Sequence, residues 1–493
     1  MISSNLPALQ VVLPLLGAVL AALVRRGPIA WLIALLVSWT MPVIAFALLK
    51  QVLADGVISY ALGGWAPPLG IEYRVDLVSA YILILVSLMG ALVISYAPRS
   101  VASEIAPQRQ AWFYTMYLLC MAGLLGITIT GDAFNAFVFL EVSSLSTYVL
   151  IALGRDRRAV LSAYQYLIVG TIGATFYVLG VGLLYVMTGS LNLADIAGRI
   201  GDIDNIRPLL AALAFITVGI SLKVALFPVH LWLPNAYAFA PSVVTAFLAS
   251  TATKVAIYLL LRYLFSIFGV VFVFRDLPVT EILIVLSVAA MIIASIVAVF
   301  QANVKRMLAY SSVAQIGYIT LGIALATQTG LTGGIVHIFN HAVMKATLFM
   351  AVGCIVFRTG VVRIEDMAGI GRRMPLTMGA FVIAGLALIG VPGTVGFVSK
   401  YYLVAAALEE GWWWLAAIIV ISSLIAVVYV GRVIEVAWFR EPTAAIKNAG
   451  DPPLEMLAFT WVLTAAIVYL GFDTDLTAGI AARAAEILLA GIK

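Results

Sequence analysis

Long apolar runs separated by short polar segments repeat along the whole chain. About 20 residues of α-helix, each rising 1.5 Å, cross the ~30 Å hydrocarbon core of a bilayer. Runs of this length predict about fourteen membrane-spanning helices, followed by a short amphipathic helix over 477–493. The predicted spans lie near residues 6–24, 30–50, 76–97, 112–130, 133–153, 160–188, 208–239, 242–267, 278–300, 304–326, 331–357, 376–407, 412–438 and 455–472.

The composition is that of an integral membrane protein. Of the 493 residues, 64% are hydrophobic and only 10% are charged, and the mean hydropathy is +1.12. A typical soluble domain has about 25% charged residues, so a soluble protein of this size could not bury so much apolar surface. The formal net charge of +5 is explained by basic loops, so it does not indicate a nucleic-acid partner.

Basic residues are unevenly distributed between the predicted loops. They concentrate in the loops that follow odd-numbered spans, which places those loops in the cytoplasm and both termini on the outer side. Lys305 and Arg306 are interpreted as anchors at the cytoplasmic surface, and Arg74 and Asp76 as a pair at the outer surface. No basic residue precedes the first apolar run, so we expect it to be retained as a span and not removed as a signal peptide.

The sequence predicts no cofactor and no metal site. The two cysteines, Cys120 and Cys354, lie in apolar segments and form no CxxC motif, so no iron–sulfur, haem-attachment or zinc framework is visible. The chain also has no GxGxxG and no Walker A motif. Direct use of nucleotide energy is therefore not indicated.

Five ionisable residues lie inside predicted spans. Glu141 is in the middle of the stretch GDAFNAFVFLEVSSLSTYVLIALG, and Lys223, Lys254, Lys345 and Lys400 lie inside four other spans. A charge at the bilayer centre costs about 2.5–3.5 kcal/mol on insertion scales, so such residues usually line a polar pathway. Together they predict a membrane-embedded route for charge.

Two of these residues have alternative interpretations. Glu141, with Ser144 and Tyr148 on its helix face, is either a protonated hydrogen-bonding acid or the partner of Lys223 in a charged pair. The charged pair is useful for transport, because moving the carboxylate relative to the lysine would load or release a proton. Lys254 could extend its amine to the membrane surface, but about ten apolar or small residues on either side make this difficult.

Two spans are interrupted by proline. Pro228 follows Lys223 by five residues in ISLKVALFPVHLWLP, and Pro392 precedes Lys400 by eight in LALIGVPGTVGFVSKYYL. Proline removes a helical hydrogen bond, and a kink of this kind can serve packing alone. Paired broken helices in two halves, each with a lysine nearby, instead indicate an inverted-repeat transporter with its site at the breaks.

The eleventh span carries a row of three titratable residues. His337, His341 and Lys345 fall at i, i+4 and i+8 and share one helix face. Histidine changes charge near neutral pH, so the row suits a proton relay. The same histidine spacing can bind a metal, but no Asp or Glu on that face completes such a site.

Five stretches together resemble one known family. GDAFNAFVFLEVSSLSTY, LKVALFPVHLWLP, NVKRMLAYSSVAQIGY, HIFNHAVMKATLFM and GVPGTVGFVSK are similar to motifs of the proton-conducting antiporter-like membrane subunits, and they occur in family order. The family includes the A and D subunits of Mrp-type Na+/H+ antiporters, the three large antiporter-like subunits of respiratory complex I, and membrane subunits of related hydrogenases. The resemblance extends from about residue 70 to about residue 440.

The resemblance implies an all-α membrane fold of about fourteen helices containing two inverted five-helix repeats. It implies helices 1–3 over 1–110, the repeats over 111–270 and 271–440, and helix 14 with the amphipathic tail over 441–493. It also implies roles in a hydrated proton-conducting axis. By motif, these roles fall on Glu141, Lys223, Lys254, His337, His341, Lys345 and Lys400, with the helix breaks at Pro228 and Pro392.

Within the family, TGDAFNAFVFLE and LPNAY are most similar to the Mrp-type D subunits. This implies a secondary transporter subunit, not an enzyme, that moves protons in exchange for Na+ or another monovalent cation. Its expected partners are other hydrophobic subunits, and its expected location is a bacterial inner membrane. The alternatives are a proton-pumping subunit of an NADH:quinone oxidoreductase or a membrane-bound hydrogenase, and a scaffold that conducts nothing.

Overall fold

The computed structural model describes residues 3–444 and 446–490, and it is almost entirely helical over them. The last three residues of the predicted amphipathic tail lie outside this part of the chain. The helices in the first half are α1 (Leu6–Val24), α2 (Gly27–Asp55), α3 (Leu77–Glu104), α4 (Gln110–Ile129), α5 (Ala133–Ala152), α6 (Arg157–Thr188), α7 (Leu193–Ile200), α8 (Ile206–Val224), α9 (Trp232–Phe239), α10 (Ser242–Ser250) and α11 (Ala252–Leu261). Those in the second half are α12 (Val270–Phe274), α13 (Val279–Ala289), α14 (Ser295–Val299), α15 (Val304–Leu325), α16 (Gln328–Thr359), α17 (Ile370–Arg373), α18 (Pro375–Ile389), α19 (Val395–Glu409), α20 (Trp413–Phe439), α21 (Leu454–Phe472) and α22 (Ile480–Ala490).

Thirteen helical segments in the described residues are long and apolar enough to cross a membrane. Each corresponds to a predicted span, and the remaining predicted span, near 376–407, is divided between α18 and α19. We call the membrane face where α3 begins the Asp76 face, and the face where α3 ends the Glu104 face. The all-α membrane fold with broken helices is therefore confirmed.

The two predicted breaks have clear local causes. α8 ends at Val224, and the next residue, Ala225, has a left-handed backbone with φ of 59°, so the helix cannot continue into the segment that contains Pro228. α18 ends at Ile389 because Gly390 has φ of 97°, and Pro392 follows within the gap before α19. Glycine adopts this conformation without the steric cost that a side chain would add.

A third break, which the sequence analysis did not predict, divides the eighth span. Thr251 has φ of −125° and ψ of −60°, so it separates α10 from α11 without any proline or glycine nearby. The ninth span is also irregular, because a short π-helical stretch at Ala290–Ala294 joins α13 to α14. The central helices are thus more irregular than the apolar pattern alone predicts.

The core lies around α16, which packs against α3, α10, α15, α18, α19, α21 and α22. Nearly every residue of α16 from Gly330 to Ile355 is buried, although the segment contains two histidines and a lysine. Helices such as α2, α6 and α20 instead expose leucine, valine and aromatic side chains, as expected of helices that face lipid or neighbouring subunits. The titratable row on α16 therefore lies inside the protein.

A short hairpin precedes α3 on the Asp76 face. Strand β1 (Ile58–Ala61) pairs antiparallel with β2 (Glu72–Val75), with Ile58 opposite Val75. Glu72 is buried there and accepts hydrogen bonds from Ser59 and Asn192. The apolar pattern gave no indication of this hairpin.

Two predicted surface features are corrected by the structure. Asp76 caps α3 and forms an ion pair with Arg262, whereas Arg74 lies 3.8 Å from Glu72, so Arg74 and Asp76 are not partners. Lys305 is buried, not exposed at the surface as an anchor. Asp76 and Lys305 bind partners far away in sequence, Arg262 and the Ala240 carbonyl, which no local pattern can indicate.

Candidate functional site

Glu141 and Lys223 come together between α5 and α8. The Lys223 Nζ lies 3.8 Å from the Glu141 carboxylate and donates hydrogen bonds to the Ser144 Oγ at 2.6 Å and the Tyr148 hydroxyl at 3.4 Å. Lys223 is buried, while the Glu141 side chain is 26% exposed. The ammonium is therefore held by hydroxyls, and the Glu141 Oε1 that faces it is buried without a hydrogen-bond partner among the described residues.

The break after α8 determines the position of this lysine. Lys223 lies in the last turn of α8, where the negative end of the helix dipole favours a cation. The adjacent Leu222 carbonyl, which the break leaves with only a long 3.4 Å bond from the Ala225 amide, also accepts a hydrogen bond of 2.9 Å from the Trp232 indole. The Trp232 ring in turn stacks on Tyr166 with ring centroids 3.7 Å apart. The broken helix is thus stabilised around the lysine.

Gly170 of α6 leaves room for the Lys223 ammonium. A Cβ at this position would lie 3.2 Å from the Lys223 Nζ and would overlap the Tyr148 hydroxyl. We expect Gly170→Ala to displace both groups and slow transport several-fold while the complex still assembles. Gly182→Ala on the same helix is the matched control, since nothing lies within 4 Å of a Cβ there. Transport assays on both variants test this, and equal rates would show that the close approach has no role.

Lys254 lies at the centre of the molecule on α11. It is fully buried, and its Nζ donates to the Ala249 carbonyl and, at 3.3 Å, to the Thr253 hydroxyl. The break at Thr251 frees the last carbonyls of α10, and the lysine binds one of them. This geometry excludes the alternative in which Lys254 extends to the membrane surface.

The two histidines of α16 differ in their surroundings. His337 is bonded through Nδ1 to the Ser399 Oγ at 2.7 Å and through Nε2 to the Gln315 Oε1 at 2.9 Å. His341 is fully buried, lies 6.0 Å from His337 between ring centroids, and has no hydrogen-bond partner for either ring nitrogen among the described residues. A buried unpartnered imidazole is energetically unfavourable, so this one is a candidate for exchanging protons with a mobile group or water.

Lys345 completes the row on α16. It is fully buried and donates to the Leu308 carbonyl at 2.8 Å and the Ser311 Oγ at 2.5 Å, both on α15. No carboxylate lies within salt-bridge distance of it or of Lys254 among the described residues. Two central lysines are thus held only by neutral oxygen atoms.

Lys400 occupies the second predicted break. Its Nζ donates to the carbonyls of Leu388 and Ile389, at 3.0 and 2.7 Å, and to the Ser423 Oγ at 2.8 Å. Both carbonyls belong to the last turn of α18, where the break at Gly390 and Pro392 removes their helical partners. The ammonium also lies 4.8 Å from the ring centroid of Tyr318.

We refer to the seven ionisable residues of the site together as the row: Glu141, Lys223, Lys254, His337, His341, Lys345 and Lys400. Lys254 is close enough to interact electrostatically with His337, His341 and Lys345, and Lys400 interacts in the same way with His337. Between Lys223 and α11 lies a cavity of about 20 Å³, lined by Ser144, Thr147 and Ala252 among others. This volume suits about one water molecule, and its serine and threonine hydroxyls supply hydrogen-bond partners.

The sequence analysis missed the groups that hold the row in place. Gln315, Ser399, Ser311 and Ser423 are common polar residues, and only the packing of α15, α19 and α20 brings them to the lysines and histidines. No group of three His, Cys, Asp or Glu side chains in the described part of the chain is arranged to hold a metal ion. The site is therefore a series of titratable groups whose partners are mainly hydroxyl, amide and carbonyl groups.

Residues 130–426, more than half of the chain and including the whole row from Glu141 to Lys400, match the family model described as NADH:quinone oxidoreductase/Mrp antiporter, TM. The chain belongs to this antiporter-like membrane subunit family. It is 41% identical over 488 residues to NADH-quinone oxidoreductase subunit N of Desulforudis audaxviator, covering 96% of this chain and 97% of the relative.

One further relative is named as an antiporter subunit, and a solved structure is that of an Mrp complex. The D subunit of the Na(+)/H(+) antiporter of Alkalihalophilus pseudofirmus is 28% identical, covering 96% of this chain and 94% of the relative. A chain in the structure of the Mrp complex from Dietzia sp. superposes with a TM-score of 0.90 at 29% identity, covering 99% of this chain and 98% of that chain. The protein is thus an antiporter-like, multi-pass membrane subunit of a larger complex.

Proposed function

We propose that this family member translocates protons along the row formed by Glu141, Lys223, Lys254, His341 and Lys400, with His337 and Lys345 as further members. The observation that carries the proposal is the buried series of lysines and histidines whose partners are mainly hydroxyls and backbone carbonyls. Such groups bind a proton reversibly, because no fixed carboxylate holds the central lysines permanently in the charged form. A scaffold without conduction would have no need of these energetically expensive residues.

Glu141 is proposed to control the first member of the row. A carboxylate close to Lys223 stabilises its charged form, and withdrawal of the carboxylate favours release of the proton. The 3.8 Å separation is longer than a direct charged hydrogen bond, and the Glu141 side chain is partly exposed. A neighbouring subunit can therefore act on Glu141 without entering the protein core.

We propose that this proton transfer is coupled to the exchange of Na+ or another monovalent cation for protons. The support is the similarity, over nearly the whole length, to an Na(+)/H(+) antiporter component and to the Mrp complex chain. The second candidate is a proton-pumping subunit of a redox-driven complex. The 41% identity to an NADH-quinone oxidoreductase component favours that alternative. The same row of residues would conduct protons in either assembly.

The remaining organisation is proposed from the same family. The inverted repeats are assigned to 111–270 and 271–440, with 1–110 and 441–493 outside them, and α8 and α18–α19 are their broken helices. The location is a bacterial cell membrane, with both termini on the outer side as the loop charges predict. Other hydrophobic membrane subunits are the expected partners.

One experiment on the native complex separates the two candidates. The complex is purified through a tag on this chain, its copurifying proteins are identified, and it is reconstituted in vesicles with a pH-sensitive dye. For the antiporter we expect only small hydrophobic subunits and collapse of an imposed pH gradient on addition of Na+. Flavin or iron–sulfur proteins and no response to Na+ would contradict antiport and support the redox-driven pump. Vesicles that move no protons under either driving force would contradict both.

A further inference from the structure

A cavity of about 180 Å³ opens on the Asp76 face above the central lysine. Its lining combines apolar side chains, Ile487 of α22 among them, with the polar and charged side chains of Arg74, Asp76, Thr130, Tyr258, Arg262 and Ser266. This volume has room for several water molecules. α22 is fixed over this region by a hydrogen bond of 2.8 Å from Gln328 to the Ala482 carbonyl.

The floor of this cavity lies close to Lys254. Lys254, Tyr258 and Arg262 occupy positions i, i+4 and i+8 of one helical stretch, so they share a face and are spaced about 6 Å apart along the axis. A route from the central lysine to the cavity would therefore be only two helical turns long. The proposed function requires that protons leave the row only where transport is coupled.

Three side chains block this short route. The Tyr258 hydroxyl donates to the Thr128 carbonyl at 2.8 Å and accepts from the Arg262 Nε at 3.0 Å. Arg262 also pairs with Asp76, which accepts hydrogen bonds from the Ser79 amide and hydroxyl. These bonds join Tyr258, Arg262 and Asp76 into one largely buried cluster.

This arrangement does not pass protons. A backbone carbonyl cannot hand on the hydrogen that Tyr258 donates to it, and a guanidinium does not give up a proton in a protein. Arg262 also neutralises the Asp76 carboxylate, which if unpaired would attract hydronium and metal cations from the cavity. The Lys254 amine is turned the other way, toward the Ala249 carbonyl of the preceding half-helix.

We propose that Tyr258, Arg262 and Asp76 form a proton-tight seal between Lys254 and the cavity on the Asp76 face. The seal rests on the proposed proton row, and it deepens that function by assigning residues that prevent uncoupled leakage. Tyr258 and Arg262 hold the cluster closed and neutral, and they do not carry the proton themselves. The buried ion pair balances the charge of Arg262, so the barrier lies within a locally neutral cluster.

The test measures passive proton leak of the whole complex in vesicles. The potential is clamped with valinomycin in symmetric K+, a pH step is imposed without Na+, and the internal pH is followed. Arg262→Gln leaves the Asp76 carboxylate unpaired and is expected to raise the leak about tenfold, the scale of one unit charge acting across roughly 10 Å at intermediate dielectric. Tyr258→Phe keeps the ring but removes the hydroxyl that binds Thr128 and Arg262, so it should also raise the proton leak. The control Arg74→Gln removes a charge from the same cavity but not from the seal, so its proton leak should equal that of wild type.

A double variant shows whether the leak follows the proposed route. Adding Lys254→Ala to Arg262→Gln should restore tightness, because the leak must pass through the central lysine. The proposed seal is wrong if Arg262→Gln and Tyr258→Phe both have the proton leak rate of wild type. It is also wrong if the double variant leaks as fast as Arg262→Gln, or if Arg74→Gln leaks as fast as Arg262→Gln. Full coupled transport by Lys254→Ala alone would instead contradict the proposed function, so the two failures are distinguishable.

Discussion

Replacing Lys223 with alanine is expected to reduce proton translocation by about a hundredfold or more, the lower end of what a positioned proton-transfer group contributes. Its ammonium is the only side-chain amine within 4 Å of Glu141 among the described residues, and it also binds Ser144 and Tyr148. Without it, the carboxylate has no lysine to load or release. Initial rates of proton movement in vesicles, normalised to the amount of assembled complex, measure this loss.

Three further variants make the Lys223 result specific. Lys223→Met keeps the length of the side chain without its charge and should be equally inactive, which separates lost chemistry from a cavity. Lys50→Ala changes an exposed lysine at the end of α2 and should be silent. Glu141→Gln should assemble and should alter the rate and its pH dependence. Near wild-type rates in both Lys223 variants would contradict the row, and an unchanged pH profile in Glu141→Gln would contradict its controlling role.

Replacing Lys400 with methionine is expected to impair both transport and stability. The substitution leaves the carbonyls of Leu388 and Ile389 at the end of α18 without their donor, and it removes the bond to Ser423. Leaving a buried polar group unsatisfied costs about 1–3 kcal/mol, so the melting temperature of the complex should fall measurably. Proton translocation should fall at least about tenfold, because a proton-carrying group at the end of the row is lost.

The Lys400 prediction is checked by thermal unfolding and by transport on the same preparation. Lys447→Ala, which changes an exposed lysine, is the control and should alter neither measurement. A Lys400→Met complex that melts earlier but transports normally would assign the residue to the helix break alone. One that melts normally and transports poorly would assign it to the row alone. Normal results in both assays would contradict both roles.

The arrangement of the spans was readable from the sequence because the membrane imposes a simple rule. Backbone groups in hydrocarbon must form hydrogen bonds within a helix, so each crossing needs a long apolar run. Each of the fourteen predicted ranges contains helix in the structure. The breaks at Pro228 and Pro392 were readable because proline and glycine act locally. Glu141, Lys223 and Lys400 stood out because ionisable residues are rare at this depth.

Local pattern failed where distant residues decide the structure. The break at Thr251 contains neither proline nor glycine, and the binding of Lys254 to the Ala249 carbonyl became visible only in three dimensions. Lys305 resembles a surface anchor in sequence, but its environment is set by Ala240 and Glu104 on other segments. No sequence pattern distinguishes a serine or glutamine that orients a histidine from any other serine or glutamine.

The sequence by itself thus determined the membrane crossings, two of the three central breaks and the residues capable of carrying protons. These features depend on burial cost and backbone chemistry, which act within one helix. The tertiary structure decided which groups face one another: Asp76 with Arg262, 186 positions apart, and His337 with Gln315 and Ser399. Such pairings depend on how helices pack, and only the folded chain brings their side chains within hydrogen-bond distance.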